Sequence, residues 1–100
     1  INTDKIDVLK VSHHGSKNAT SEEFIKKTQP EYSVISVGAN NRYGHPSPEV
    51  IERLKKNDIN IYRTDTDGNI QLSIGPFGYM IESYNEKTSI FNFIFKYIFY

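Results

Sequence analysis

A small α/β domain with parallel strands is the fold class this sequence predicts, and three observations predict it. The run "IDVLKVS" carries apolar residues on both faces, at Ile6, Val8, Leu9 and Val11, as a strand covered on both sides requires. Two further strand-like runs, "YSVISV" and "INIYRT", alternate with segments that carry helix-start signals. Strands alternating with helices imply parallel neighbours joined by right-handed crossovers.

The first strand is expected over Ile6–Ser12, followed by a loop from His13 to Ala19. Thr20 is placed to cap a helix, with Glu23 three residues on completing a capping box. Phe24 and Ile25 give that helix its apolar face, Lys26 and Lys27 suit its C-terminal half, and Pro30 stops it. The second strand is expected over Tyr32–Val37, then a polar loop, "GANNRYGH", from Gly38 to His45. Ser47 caps a second helix with Pro48 at its first position, and Val50, Ile51 and Leu54 line one face. A third strand follows over Ile59–Thr64, then an Asp67-Gly68 turn. Two more strands, Ile70–Ile74 and Tyr79–Tyr84, flank a turn made by Gly75, Pro76 and Gly78. The order is β-α-β-α-β-β-β, over a domain spanning residues 1–85.

Residues 86–100 form an aromatic tail, read as an edge strand or an interface strand. As a strand, Phe91, Phe93, Phe95, Tyr97 and Phe99 share one face, opposite Asn92 and Lys96. As a helix, Asn92 and Lys96 would make a narrow polar stripe.

Composition narrows the function classes. Twelve basic and twelve acidic residues balance, so charge alone does not indicate nucleic acid. Cysteine is absent, which excludes disulfides and thiolate metal sites. No apolar run approaches the roughly 18 residues of a membrane span, so this segment is expected to be soluble. The opening "INTDKIDVLK" has neither a signal-peptide nor an initiator context, and reads as cut from something longer.

All three histidines fall in loops that directly follow strands: His13 and His14 in "SHHGS", His45 in "RYGHP". In parallel sheets ligands gather at the carboxyl ends of strands, so parallel pairing brings these loops to one edge. Imidazole is the commonest metal ligand and an acid–base group near neutral pH. Adjacent residues leaving a strand point in opposite directions, so one of His13 and His14 is expected to ligate while the other packs or meets substrate. Ser16 and the loop amides offer donors to an anion. Taken singly, a histidine is more often a satisfied loop or core residue than a ligand.

A catalytic zinc site normally keeps three protein ligands. With three histidines, carboxylates would have to contribute, and Asp4, Asp7, Asp65 and Asp67 are the candidates. No His-x-His or His-Glu-x-x-His pair is present, so the metal site in this chain is incomplete. Asp65 and Asp67 read first as turn residues. In the second loop, Arg42 offers a planar fork to phosphate, Asn40 and Asn41 add amide donors, and His45 can donate a proton or contact phosphate. The bland reading of that loop is a Gly-Pro turn with solvated polar residues.

Three segments in order, "DVLKVSHHGSKNATSEEF", "YSVISVGANNRYGHPSPEVIERLKK" and "INIYRTDTDGNIQL", resemble the C-terminal half of a metallo-β-lactamase-fold hydrolase. The likeness runs from about Asp7 to Leu72 and is nearest to the hydrolase domain of ComEC-type DNA-internalisation competence proteins. It implies half of an αββα sandwich binding zinc or manganese. It implies a ligand role for His14 first and His13 as the alternative. It implies that His45 sits near a bound phosphate; Ser16, Asn41 and Arg42, read from their own chemistry as anion donors, are expected to contact substrate there. The remaining family ligands have no counterpart here. The implied activity is metal-dependent hydrolysis of a phosphodiester, DNA during competence-linked uptake, by a membrane or cell-surface parent. The alternatives are a stand-alone phosphodiesterase such as a phosphorylcholine esterase, or a non-catalytic phosphate- or partner-binding module. The fragment itself is expected to be inactive, to pair with the missing N-terminal half of its domain, and to self-associate through an uncovered sheet face.

Overall fold

Three strands pair in parallel because each of the first two is followed by a helix that returns the chain to the same end of the sheet. The computed structural model describes residues 4–83 and 95–99. Strands β1 (Val8–Lys10), β2 (Tyr32–Ile35) and β3 (Asn60–Arg63) form the sheet in that spatial order. Val8 pairs with Tyr32, and Tyr32 in turn with Asn60. Helices α1 (Glu22–Thr28) and α2 (Pro48–Lys56) make the two crossovers.

Both helices pack on one face of this sheet. The core there joins Val11, Ile25, Ile35, Val37, Val50, Leu54 and Ile59, all buried, with Leu9, Ile51 and Ile61 packed against it. Val50 and Leu54 stand four residues apart on α2 and therefore share its inner face. Ser47 caps α2 as its sequence indicates, its Oγ accepting from the Val50 amide at 3.3 Å.

A second, antiparallel sheet has the order β5-β4-β6, from β4 (Ile70–Gly75), β5 (Gly78–Ser83) and β6 (Phe95–Phe99). β4 and β5 form a hairpin in which Gly75 pairs with Gly78 across Pro76 and Phe77. β6 pairs with the other edge of β4, Ile70 opposite Phe99. The readings placed on Tyr84 and on 86–94, Phe91 and Phe93 included, lie outside the described residues. Tyrosines link the two sheets. Tyr79 meets Tyr32 edge-on at 6.0 Å between ring centres, and its O–H donates to Glu31 Oε2 at 2.9 Å. Burial and that carboxylate push the Tyr79 phenol up from its ordinary value. Among the described residues no helix is long and apolar enough to cross a membrane.

Four expectations from the sequence change. Ser21, not Thr20, caps α1: its Oγ accepts from the Phe24 amide at 3.1 Å, which excludes the Thr20–Glu23 capping box. Thr20 has φ +54°, whereas a cap residue is extended. The first strand is three residues long, not seven, and Ser12–Gly15 is a 3-10 turn. His13 and His14 both adopt left-handed backbone there, φ +50° and +54°, so the alternation expected of a strand end does not govern their rings. The third strand stops at Arg63, and Thr64–Asp67 is one helical turn, α3. Thr64 is pulled out of the strand because its Oγ1 takes the Val37 amide and donates to the Val37 carbonyl, both at 2.8 Å.

Candidate functional site at the strand ends

The loops after β1 and β2 emerge at one edge of the parallel sheet and are fastened together. The Ser47 amide donates to the Gly15 carbonyl at 2.7 Å. Gly15, buried at φ +83°, lies against Pro46: a Cβ there would come within 2.6 Å of Pro46 Cβ. Only glycine meets both demands, positive φ and close approach. "SHHGS" and "GHPS" are thus parts of one surface.

His14 is the best-oriented group on that surface. Its Nδ1 lies 2.6 Å from the Ser36 carbonyl, just beyond β2. A carbonyl can only accept, so Nδ1 carries the proton and the neutral ring keeps its lone pair on Nε2. Metal-ligating histidines are commonly fixed in this way, one ring nitrogen donating to a carbonyl while the other ligates. His13 is exposed beside it, and its carbonyl accepts from the Ser16 amide at 3.1 Å. That bond commits the Ser16 amide, and the Ser16 carbonyl accepts from Ala19, so Ser16 has only its hydroxyl to offer an anion.

In the second loop, Asn41 ties the turn that presents His45. Its Oδ1 accepts from the His45 amide at 2.9 Å, and its Nδ2 donates to the His45 and Gly38 carbonyls at 2.7 and 3.0 Å. The amide read from the sequence as a substrate contact is committed inside the loop. The His45 ring stacks on Tyr43, centres 6.0 Å apart and planes 20° apart, and among the described residues its buried Nδ1 has no hydrogen-bond partner. The Arg42 guanidinium lies 5.5 Å from the centre of the Tyr43 ring, and both side chains are exposed.

The carboxylates weighed as ligands stand elsewhere or are engaged. Asp4 and Asp7 precede β1, at the opposite end of the strand from the histidines. Asp65 forms a two-point pair with Arg63, at 3.0 and 2.7 Å, and Asp67 Oδ2 accepts from the Arg63 amide. The side-chain hydrogen bond from Arg63 outweighs partial burial and holds the Asp65 carboxyl below its usual range. Among the described residues no three His, Asp or Glu side chains converge as a metal cage would require. Sequence reasoning missed Ser36, which acts through its carbonyl and so leaves no side-chain signal. It also missed Arg53, whose guanidinium bonds to loop carbonyls behind the histidines.

Comparison with curated proteins adds identity to this geometry. The chain is 54% identical over 67 residues to ComE operon protein 3 of Bacillus subtilis (strain 168). Over this span the chain is a homologue of ComEC-type competence proteins. It is 39% identical over 71 residues to competence protein ComA of Neisseria gonorrhoeae, and 38% identical over 69 residues to recombination protein 2 of Haemophilus influenzae. These matches cover 67%, 71% and 69% of the chain but 9%, 10% and 9% of the relatives, so the chain spans about a tenth of their length. No family model matches the chain, and no solved structure does.

Proposed function

We propose that this chain is the C-terminal half of a metallo-β-lactamase-fold hydrolase domain in a ComEC-type competence protein, acting on DNA phosphodiesters during uptake. The observation that carries this reading is the His14–Ser36 bond, which leaves Nε2 free to ligate at the mouth of a parallel sheet. The donor set fits a divalent ion in part. His14 supplies one nitrogen of the right tautomer, His13 is its alternative, and the other ligands belong to the N-terminal half of the domain. A zinc or manganese ion held there would supply a Lewis acid and a water of lowered pKa. His14 would hold that centre in place through its fixed ring. Arg42, exposed on the neighbouring loop, would bind a phosphate oxygen with its planar fork. His45, stacked on Tyr43 and fixed by Asn41, would move a proton at the phosphate or donate a hydrogen bond to it.

The competence and recombination names of the relatives favour this reading over a phosphorylcholine esterase. A membrane-bound parent belongs to the same proposal. The test is to express the chain with its upstream sequence and incubate it with a labelled single-stranded oligonucleotide and manganese or zinc. Metal-dependent cleavage by the longer protein, with none by the 100-residue chain alone, is expected. Turnover by the 100-residue chain alone, or a longer protein inert with every divalent ion, overturns it.

A further inference from the structure

Arg53 reaches from the middle of α2 to the segment that leaves the histidine loop. Its Nη1 donates to the Ala19 and Thr20 carbonyls at 3.1 and 2.9 Å, and its Nη2 to the Lys17 carbonyl at 3.4 Å. Thr20, one of the accepting residues, is held in left-handed backbone, which a threonine adopts only when its surroundings impose it. One turn on, Asn57 Nδ2 donates to Glu22 Oε1 at 3.1 Å and to the Arg53 carbonyl at 2.8 Å.

The same helix begins at the other histidine loop. Ser47, next to Pro46 and His45, donates its amide to Gly15. Six residues separate Ser47 from Arg53, about 9 Å along a helix. α2 is therefore fastened to the first loop at two places, before its start through Ser47 and in its middle through Arg53. Either bond alone leaves a pivot; the two together fix the loop against the helix.

We infer that Arg53 is a positioning residue, holding the His13–His14 loop in register with the loop that carries His45. This rests on the reading of those histidines as parts of one site. Lysine is not an equivalent group here, because one ammonium cannot span the Lys17, Ala19 and Thr20 carbonyls as the planar fork does.

The test is imidazole proton–nitrogen NMR on the 100-residue chain, comparing wild type with Arg53→Gln and Arg53→Lys. In wild type the His14 Nδ1–H is protected by the Ser36 carbonyl. In folded Arg53→Gln, with backbone signals of β4 and β5 unshifted, that proton exchanges about tenfold faster, as loss of a charge-assisted contact implies. Arg53→Lys restores part of the protection, leaving exchange about threefold faster than wild type. A His14 proton as slow as wild type in folded Arg53→Gln overturns the inference, because a purely structural Arg53 would lower the melting temperature without touching that ring. Should Arg53→Gln not fold, Arg53→Lys decides by the same signal. A longer protein that fails to cleave DNA leaves this result standing, and a His14 ring indifferent to Arg53 leaves the hydrolase reading standing.

Discussion

Gly15 and Pro46, 31 positions apart in the chain, touch so closely that a methyl group on Gly15 has nowhere to go. This contact, with the Ser47–Gly15 hydrogen bond, makes one surface of the two histidine loops. Gly15→Ala meets both a positive φ and a clash with the Pro46 ring. It is expected to destabilise the chain by roughly 2 kcal/mol or more, a fall of about 8–16 °C in Tm for a domain of this size. Thermal melts followed by circular dichroism measure it, and an unchanged Tm would mean that the loops are not in contact.

Asn41 is expected to matter for the shape of its loop. Asn41→Ala removes three hydrogen bonds to the Gly38 and His45 backbone and should cost about 1–3 kcal/mol. Asn41→Asp keeps the acceptor for the His45 amide but turns an oxygen toward two carbonyls, so it should be no better than alanine. The His45 ring resonances should shift in both variants. A variant with wild-type Tm and unmoved His45 signals would return Asn41 to the status of a solvated loop residue.

Leu54 is fully buried where α2 meets the sheet. Leu54→Ala should therefore destabilise by about 2–5 kcal/mol, as cavity-forming core substitutions do. Urea unfolding at fixed pH reads this directly. A loss below about 1 kcal/mol would indicate that α2 is not docked as described.

The Arg63–Asp65 pair sets a pH dependence. The Asp65 carboxyl titrates lower in the folded chain than in the unfolded one, chiefly through its hydrogen bond from Arg63. Between those two values the unfolded chain binds more protons, so stability rises with pH there. The contribution is complete above the ordinary aspartate value, about 3.9, and disappears as pH falls through the lower, folded value. Asp65→Asn should thus lower Tm at neutral pH, and its gap from wild type should close as the solution is acidified below that range. A gap that stays constant with pH would show that the pair contributes no titratable stability.

Much of the layout was legible in the sequence. Ser47-Pro48 is a local signal with a local cause, and it marks the start of α2 correctly. The Gly75–Gly78 turn is likewise local, with the hairpin closing around Pro76 and Phe77. The errors come where distant groups decide. Thr20 reads as the cap of α1, but the cap falls to Ser21 because Arg53, 33 positions away from Thr20, captures the Thr20 carbonyl. Thr64 reads as strand by composition, but the Val37 backbone turns it into the start of a helical turn. In the site, the three histidines and their shared edge were legible, since strand-end loops of parallel strands must emerge together. The tautomer of His14 was not, because the Ser36 carbonyl that fixes it belongs to a neighbouring strand end and has no residue signature.

The account turns on His14 as a metal ligand completed by groups from the preceding part of its domain. The most direct measurement is the manganese or zinc affinity of the longer protein that includes the upstream segment, wild type against His14→Ala, by calorimetry at neutral pH. His14→Ala is expected to weaken binding by about a hundredfold or more, with the fold retained. Equal affinity in the two proteins would contradict the account.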